Sequence, residues 1–196
     1  MTVAEPESQT KRRLFFAVWP SAAVADELDR QLGIVRRRSA DWLRWQPSRR
    51  LHITLLFLGD CDPRRTRQAQ AVGRQVAAGV AAHDLRIDGA GRFGQVAWLG
   101  VAGAWLVPVH EGLRRQLRVR PERRTYRPHI TVARARPSRS QPPSATSRPT
   151  WADTVTALRT ITSQTWVPEH LDLVASTLGP APSYQVVERF PWAGAN

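Results

Sequence analysis

Cysteine, methionine and lysine each occur once among the 196 residues, and these scarcities exclude several classes of protein. A lone Cys61 can form no internal disulfide and supplies no thiolate cluster for a metal. No stretch approaches the ~18 consecutive apolar residues that a membrane-spanning helix needs. Residues 1–13 are polar, and the apolar run that follows at 14–18 is too short for the core of a secretory signal. A soluble, cytoplasmic protein is therefore expected, and no membrane partner. No Gly-x-x-x-x-Gly-Lys phosphate loop occurs, so ATP use is not expected either. His83, His110 and His170 lack the spacing of zinc ligands and read as surface residues. Nor is there an Asp/Glu/His cluster suited to a pair of metals, so no metal and no cofactor is expected.

What the chain has in excess is positive charge. The net charge is +13, and of 29 basic residues only Lys11 is not arginine. The planar guanidinium fork matches phosphate oxygens, which makes a polyanionic partner plausible. A coding bias toward arginine would leave the same excess on a solvated surface. Charge alone therefore points no further than nucleic acid binding.

Hydrophobic patterning alternates strand and helix. Segments 13–18, 51–58, 85–91, 96–101, 129–134, 171–176 and 184–190 read as strands. Pro20 and Ser21 open a helix carrying Val24, Leu28 and Leu32, closed by Arg36, Arg37 and Arg38. Asp62 before Pro63 is a helix start whose apolar face is Ala69, Val72, Val76 and Val80. Further helices are expected over 106–117, with Pro108 in the first turn, and over 150–163. The Pro/Ser-rich segment 137–149 reads as an exposed loop, and residues 1–11 as a disordered tail. The expected fold is α+β with mostly antiparallel sheets, a single domain over 12–192.

One internal echo carries chemistry. His-Ile-Thr-Leu at 52–55 returns as His-Ile-Thr-Val at 129–132, each on an apolar strand. Residues two apart on a strand share a face, so His52 joins Thr54 and His129 joins Thr131, while Ile53 and Ile130 point into packing. Two such strands meeting in one cleft would offer two imidazoles and two hydroxyls. That set suits phosphodiester chemistry without a metal: a neutral imidazole takes a proton from water and an imidazolium gives one to the leaving oxygen. Arg134 could neutralise charge on the phosphate. Strict alternation puts it on the opposite face from His129 unless the strand ends or bulges. Trp19, Trp42, Trp45 and Tyr126 are candidates to stack on a base, though packing accounts for any one of them as well.

With these motifs the chain resembles the 2H phosphoesterase superfamily, and within it the RNA 2′,3′-cyclic phosphodiesterases, also called 2′-5′ RNA ligases. The likeness runs over residues 12–192. It takes in Arg13-Leu-Phe-Phe-Ala-Val18, Leu51 to Gly59, Phe93 to Gly100, Arg127 to Arg134, Ser176 to Pro180, Tyr184 and Pro191-Trp192. The resemblance implies a bilobal α+β fold of two mostly antiparallel sheets with flanking helices, a pseudo-two-fold axis and a central cleft. It implies His52 as proton donor and His129 as acceptor, with Thr54, Thr131 and Arg134 binding the substrate. The implied reaction is hydrolysis of a 2′,3′-cyclic phosphate at an RNA end to a 2′-phosphomonoester, with 2′-5′ ligation as its reverse. A monomer is expected. The 137–149 loop departs from the pattern, where a shorter connection is expected. A non-catalytic RNA-binding module using the same cleft is the alternative.

Overall fold

The structure is a computed structural model and describes residues 11–39, 42–122, 124–136, 150–177 and 183–194. The 137–149 loop and nearly all of the expected N-terminal tail lie outside these residues.

Among the described residues, eight antiparallel strands form one sheet. They are β1 (Arg12–Val18), β2 (Leu43–Trp45), β3 (Ile53–Cys61), β4 (Arg86–Phe93), β5 (Val96–Ala102), β6 (His129–Ala135), β7 (His170–Ser176) and β8 (Tyr184–Pro191). The order is β4-β5-β6-β3-β1-β7-β8, with β2 on the free edge of β6. The sheet thus has two four-stranded halves, β3-β1-β7-β8 and β2-β6-β5-β4. They join at a single register pair, Ile53 opposite Ile130. Both isoleucines are fully buried, as the alternation within the two motifs requires.

Four α-helices lie among the described residues, α1 (Ala22–Ser39), α2 (Pro63–Ala78), α3 (Leu106–Gln116) and α4 (Trp151–Leu158), with a short 3₁₀ turn at Ser48–Arg50. Helix α1 buries Val24, Leu28, Leu32 and Val35 on one stripe. Asp62 caps α2 by accepting from the Arg65 amide at 2.6 Å, ahead of Pro63. Helices α2 and α3 pack against the first half of the sheet, and α4 packs on β4 of the second. At Gly73 α2 lies tight against side chains of the sheet. A Cβ there would stand 2.6 Å from Phe190 and 2.8 Å from Phe16.

Most elements match the sequence expectation, with three corrections. Strand β2 was not foreseen; three residues with one apolar repeat carry no periodicity. The hairpin turn is at Gly94 and Gln95, Gly94 taking a φ of 52°, so β4 runs on through Gly91 to Phe93. Helix α4 stops at Leu158 instead of continuing to 163. Side chains of α1 take the backbone beyond it: Gln31 Nε2 donates to the Thr162 carbonyl at 2.7 Å, and Gln164 N donates to Glu27 at 3.3 Å. No described helix is long and apolar enough to cross a membrane.

Candidate active site

At the Ile53–Ile130 crossing the strands run antiparallel, so the register sets Thr54 beside His129 and Thr131 beside His52. All four side chains open onto one cavity of about 640 Å³. The sequence expectation that the two motifs share a cleft holds in the geometry.

Each imidazole is oriented by the chain just ahead of it. His52 Nδ1 lies 2.7 Å from the Arg50 carbonyl, and His129 Nδ1 lies 2.7 Å from the Arg127 carbonyl. A carbonyl only accepts, so Nδ1 must carry the proton and Nε2 is left for the cleft. Aromatic rings wall both. Phe15, Trp19 and Tyr184 stand 5.1–5.3 Å from His52, while Phe93 and Trp98 stand 5.2 and 6.0 Å from His129. Burial is the main reason that His52 is pulled from 6.5 to about 4. The Arg50 carbonyl opposes it, and His129 and Arg134 add to it. His129 is lowered as well, chiefly by burial and also by Arg134, against the pull of its bond to Arg127 and of Glu122.

Arg134 faces the same cavity as the histidines. Strict alternation would forbid this, and a β-bulge permits it. On β6, Trp98 of β5 is opposite Thr131 and Ala97 is opposite Ala133, which leaves Val132 unpaired. Val132 and Ala133 are both buried, and from there on the face is reversed. The first motif has the same irregularity at the same place: Ala17 is opposite Thr54 and Phe16 opposite Leu56, leaving Leu55 over. Its fifth residue after the histidine is Phe57, which therefore also turns into the cleft and is 56% exposed. The pseudo-two-fold thus relates an arginine to a phenylalanine.

Of the tryptophans considered for stacking, Trp42 is buried edge-on to Trp151, Trp45 packs on the core, and Trp19 packs on His52. Tyr126 lines the cavity with its ring stacked on His110. The aromatic with an open face in the cleft is Phe57. The sequence carried no signal for it, since the register irregularity in β3 is what turns it into the cleft. His110, expected at the surface, is instead mostly covered and lines the cleft, whereas His83 is exposed. Arg13, Arg50, Arg114 and Arg124 also border the cavity, with Glu111 (paired to Arg114) and Glu122, so arginines outnumber carboxylates around it. Among the described residues no three His, Cys, Asp or Glu side chains gather as metal ligands.

Residues 24–179 match the model of the 2′-5′ RNA ligase superfamily. An RNA 2′,3′-cyclic phosphodiesterase of Methanothermobacter thermautotrophicus is 30% identical over 143 residues, covering 67% of this chain and 75% of that protein. One of Geobacillus stearothermophilus is 29% identical, and the match spans 94% of this chain but only 59% of the relative's length. A crystal structure of a Thermus thermophilus protein superimposes with a TM-score of 0.70 at 27% identity, covering 94% of this chain and all of that one.

Proposed function

Because the chain belongs to the 2′-5′ RNA ligase superfamily, we propose that it is an enzyme that opens 2′,3′-cyclic phosphates at RNA ends to 2′-phosphomonoesters, without a metal. The observation that carries this reading is the meeting of two His-x-Thr faces across the Ile53–Ile130 pair, with Arg134 turned onto the same side by the bulge. The names of the two relatives support it.

In the proposed reaction the cyclic phosphate lies between the two Nε2 atoms. Water attacks phosphorus as His129 Nε2 takes its proton, the bond to the ribose 3′ oxygen breaks, and protonated His52 delivers a proton to that oxygen. Each transfer is worth roughly 10²–10⁴-fold in rate. Arg134 and the hydroxyls of Thr54 and Thr131 hold the non-bridging oxygens, where negative charge grows. The division of roles has an electrostatic basis. His52, brought to about 4, is a strong acid once charged, whereas Glu122 favours the imidazolium that forms on His129. With the 5′-hydroxyl of a second RNA attacking phosphorus in place of water, His129 taking its proton and His52 protonating the departing 3′ oxygen, the same pair would form a 2′-5′ linkage. Phe57 offers its open face to the base of the terminal nucleotide.

The test is turnover of a 2′,3′-cyclic nucleotide in EDTA by the wild type and by His52→Ala and His129→Ala. The expected result is full activity of the wild type and a loss of roughly 10²–10⁴-fold in either variant, with the double variant little worse. Activity abolished by EDTA and restored by a divalent cation would overturn the acid–base reading, since the histidines would then serve as ligands.

A further inference from the structure

The two bulges are alike, but what holds them differs. In the second half of the sheet the carbonyl of the bulge residue Val132 accepts the backbone amide of Gln46 at 2.8 Å, from the chain that continues β2 along the edge of β6. In the first half no strand among the described residues lies on that edge of β3 beyond Ile53. Two side chains stand there instead. His110 Nδ1 lies 2.6 Å from the carbonyl of the bulge residue Leu55, and the Tyr126 hydroxyl donates to the Thr54 carbonyl at 3.0 Å. Their rings are stacked, with centroids 4.1 Å apart and planes at 8°. Successive carbonyls of a regular strand point to opposite edges. Two in a row taken up by one stacked pair are therefore a property of the bulge. Burial pushes the Tyr126 phenol well above its ordinary value, which keeps the hydroxyl protonated and able to donate around neutral pH.

We infer that His110 and Tyr126 are positioning residues that replace the missing strand, locking the β3 bulge so that His52 and Thr54 face the phosphate and Phe57 is turned into the cleft. The inference rests on the reading of His52 and Thr54 as active-site residues. The lone His110 ring could be dismissed as a satisfied core histidine. The match between its target carbonyl and the one that Gln46 holds in the other half gives it a role. In each motif the carbonyl of the third residue after the histidine has a donor, and among the described residues only the second half supplies it from backbone.

Three variants test this by steady-state kinetics on a 2′,3′-cyclic nucleotide, well below the melting temperature. Tyr126→Phe keeps the ring and removes the hydroxyl, His110→Leu removes the imidazole donor, and His110→Asn restores a donor near the Nδ1 position. Tyr126→Phe and His110→Leu should each lower kcat about tenfold, with KM changed less than twofold, and His110→Asn should recover most of that loss. A wild-type kcat in both Tyr126→Phe and His110→Leu, with only a lower melting temperature, would overturn the inference. So would an Asn variant as slow as the Leu variant. If His110→Leu fails to fold, Tyr126→Phe and His110→Asn decide. His52→Ala is measured alongside: its retaining full turnover would remove the site reading itself, and the inference with it.

Discussion

The pH dependence of turnover is the most demanding test of the proposed chemistry, because burial in the walls of the cleft disfavours the charged form of both imidazoles. His52, packed against Phe15, Trp19 and Tyr184, has its pKa lowered to about 4. At pH 7 a group of that pKa is protonated in about one molecule in a thousand. His129 is lowered too. The limbs of kcat/KM report the free enzyme, so its optimum should lie on the acid side of 6.5, with an alkaline fall of about tenfold per pH unit. The limbs of kcat belong to the complex, where the phosphate anion favours imidazolium, so the kcat optimum should lie at higher pH. Initial rates on a 2′,3′-cyclic nucleotide from about pH 4 to 9 at constant ionic strength measure both. Arg134→Gln removes a cation that depresses both groups and should move the kcat/KM limbs to higher pH. A kcat/KM profile centred above 6.5, or kcat and kcat/KM profiles that coincide, would refute the reasoning.

The same shift has a consequence for stability, and its sign is fixed. The pKa of His52 is lower in the folded chain than in the unfolded one, so the unfolded chain binds more protons between the two values. Stability is full above about pH 6.5 and is lost as the pH falls toward 4. The difference is worth at most about 3 kcal/mol, less what solvent screening removes in an open cleft. Urea unfolding at pH 7 and at about pH 4.5 should show a smaller acid loss in His52→Gln than in the wild type. Equal losses would show that His52 is not held neutral by the fold.

Three further outcomes follow from single side chains. Arg134→Ala should slow turnover at least tenfold, and Arg134→Lys should restore it only in part because the planar fork is lost; wild-type kinetics would mean that the bulge does not deliver this group to the phosphate. Phe57→Ala should raise KM by about tenfold with kcat nearly unchanged, the loss expected for one stacked base, whereas an unchanged KM would remove Phe57 from the base site. Gly73→Ala should lower the melting temperature despite alanine's better helix propensity, since crowding Phe190 and Phe16 costs ~1–3 kcal/mol.

What the sequence disclosed was whatever depends on neighbours in the chain. His52 and Thr54 share a face by strand geometry alone, as do His129 and Thr131, and the twice-written His-Ile-Thr made the pairing legible. The orientation of Arg134 was not legible, because it depends on how Val132 fails to pair with β5, a matter of cross-strand register. The same holds for Phe57, which reads from the sequence as one more apolar strand residue. His110 was misread for a related reason. The apolar stripe of α3, Leu106, Val109 and Leu113, accounts for the helix face without it. Only the return of the chain past Tyr126 turns His110 from a surface position into part of the cleft wall. The early end of α4 was likewise decided by Gln31 and Glu27 of α1, more than a hundred residues away in sequence.

The departures from the pseudo-two-fold matter as much as the duplication. Two identical halves would give two equivalent imidazoles, two hydroxyls and no reason for a proton to travel in one direction. The structure breaks that equivalence at three places. Arg134 stands where the other half has Phe57, so one half presents a guanidinium to the cleft and the other an exposed aromatic ring, which the proposed reaction assigns to the phosphate and to a base. Glu122 acts on His129 but not on His52, which favours the cation on the group proposed to accept the proton. The third asymmetry is the lock on the bulge, backbone in one half and a His–Tyr stack in the other. In the proposed reaction the duplicated motifs supply the acid and the base, and these substitutions determine which is which.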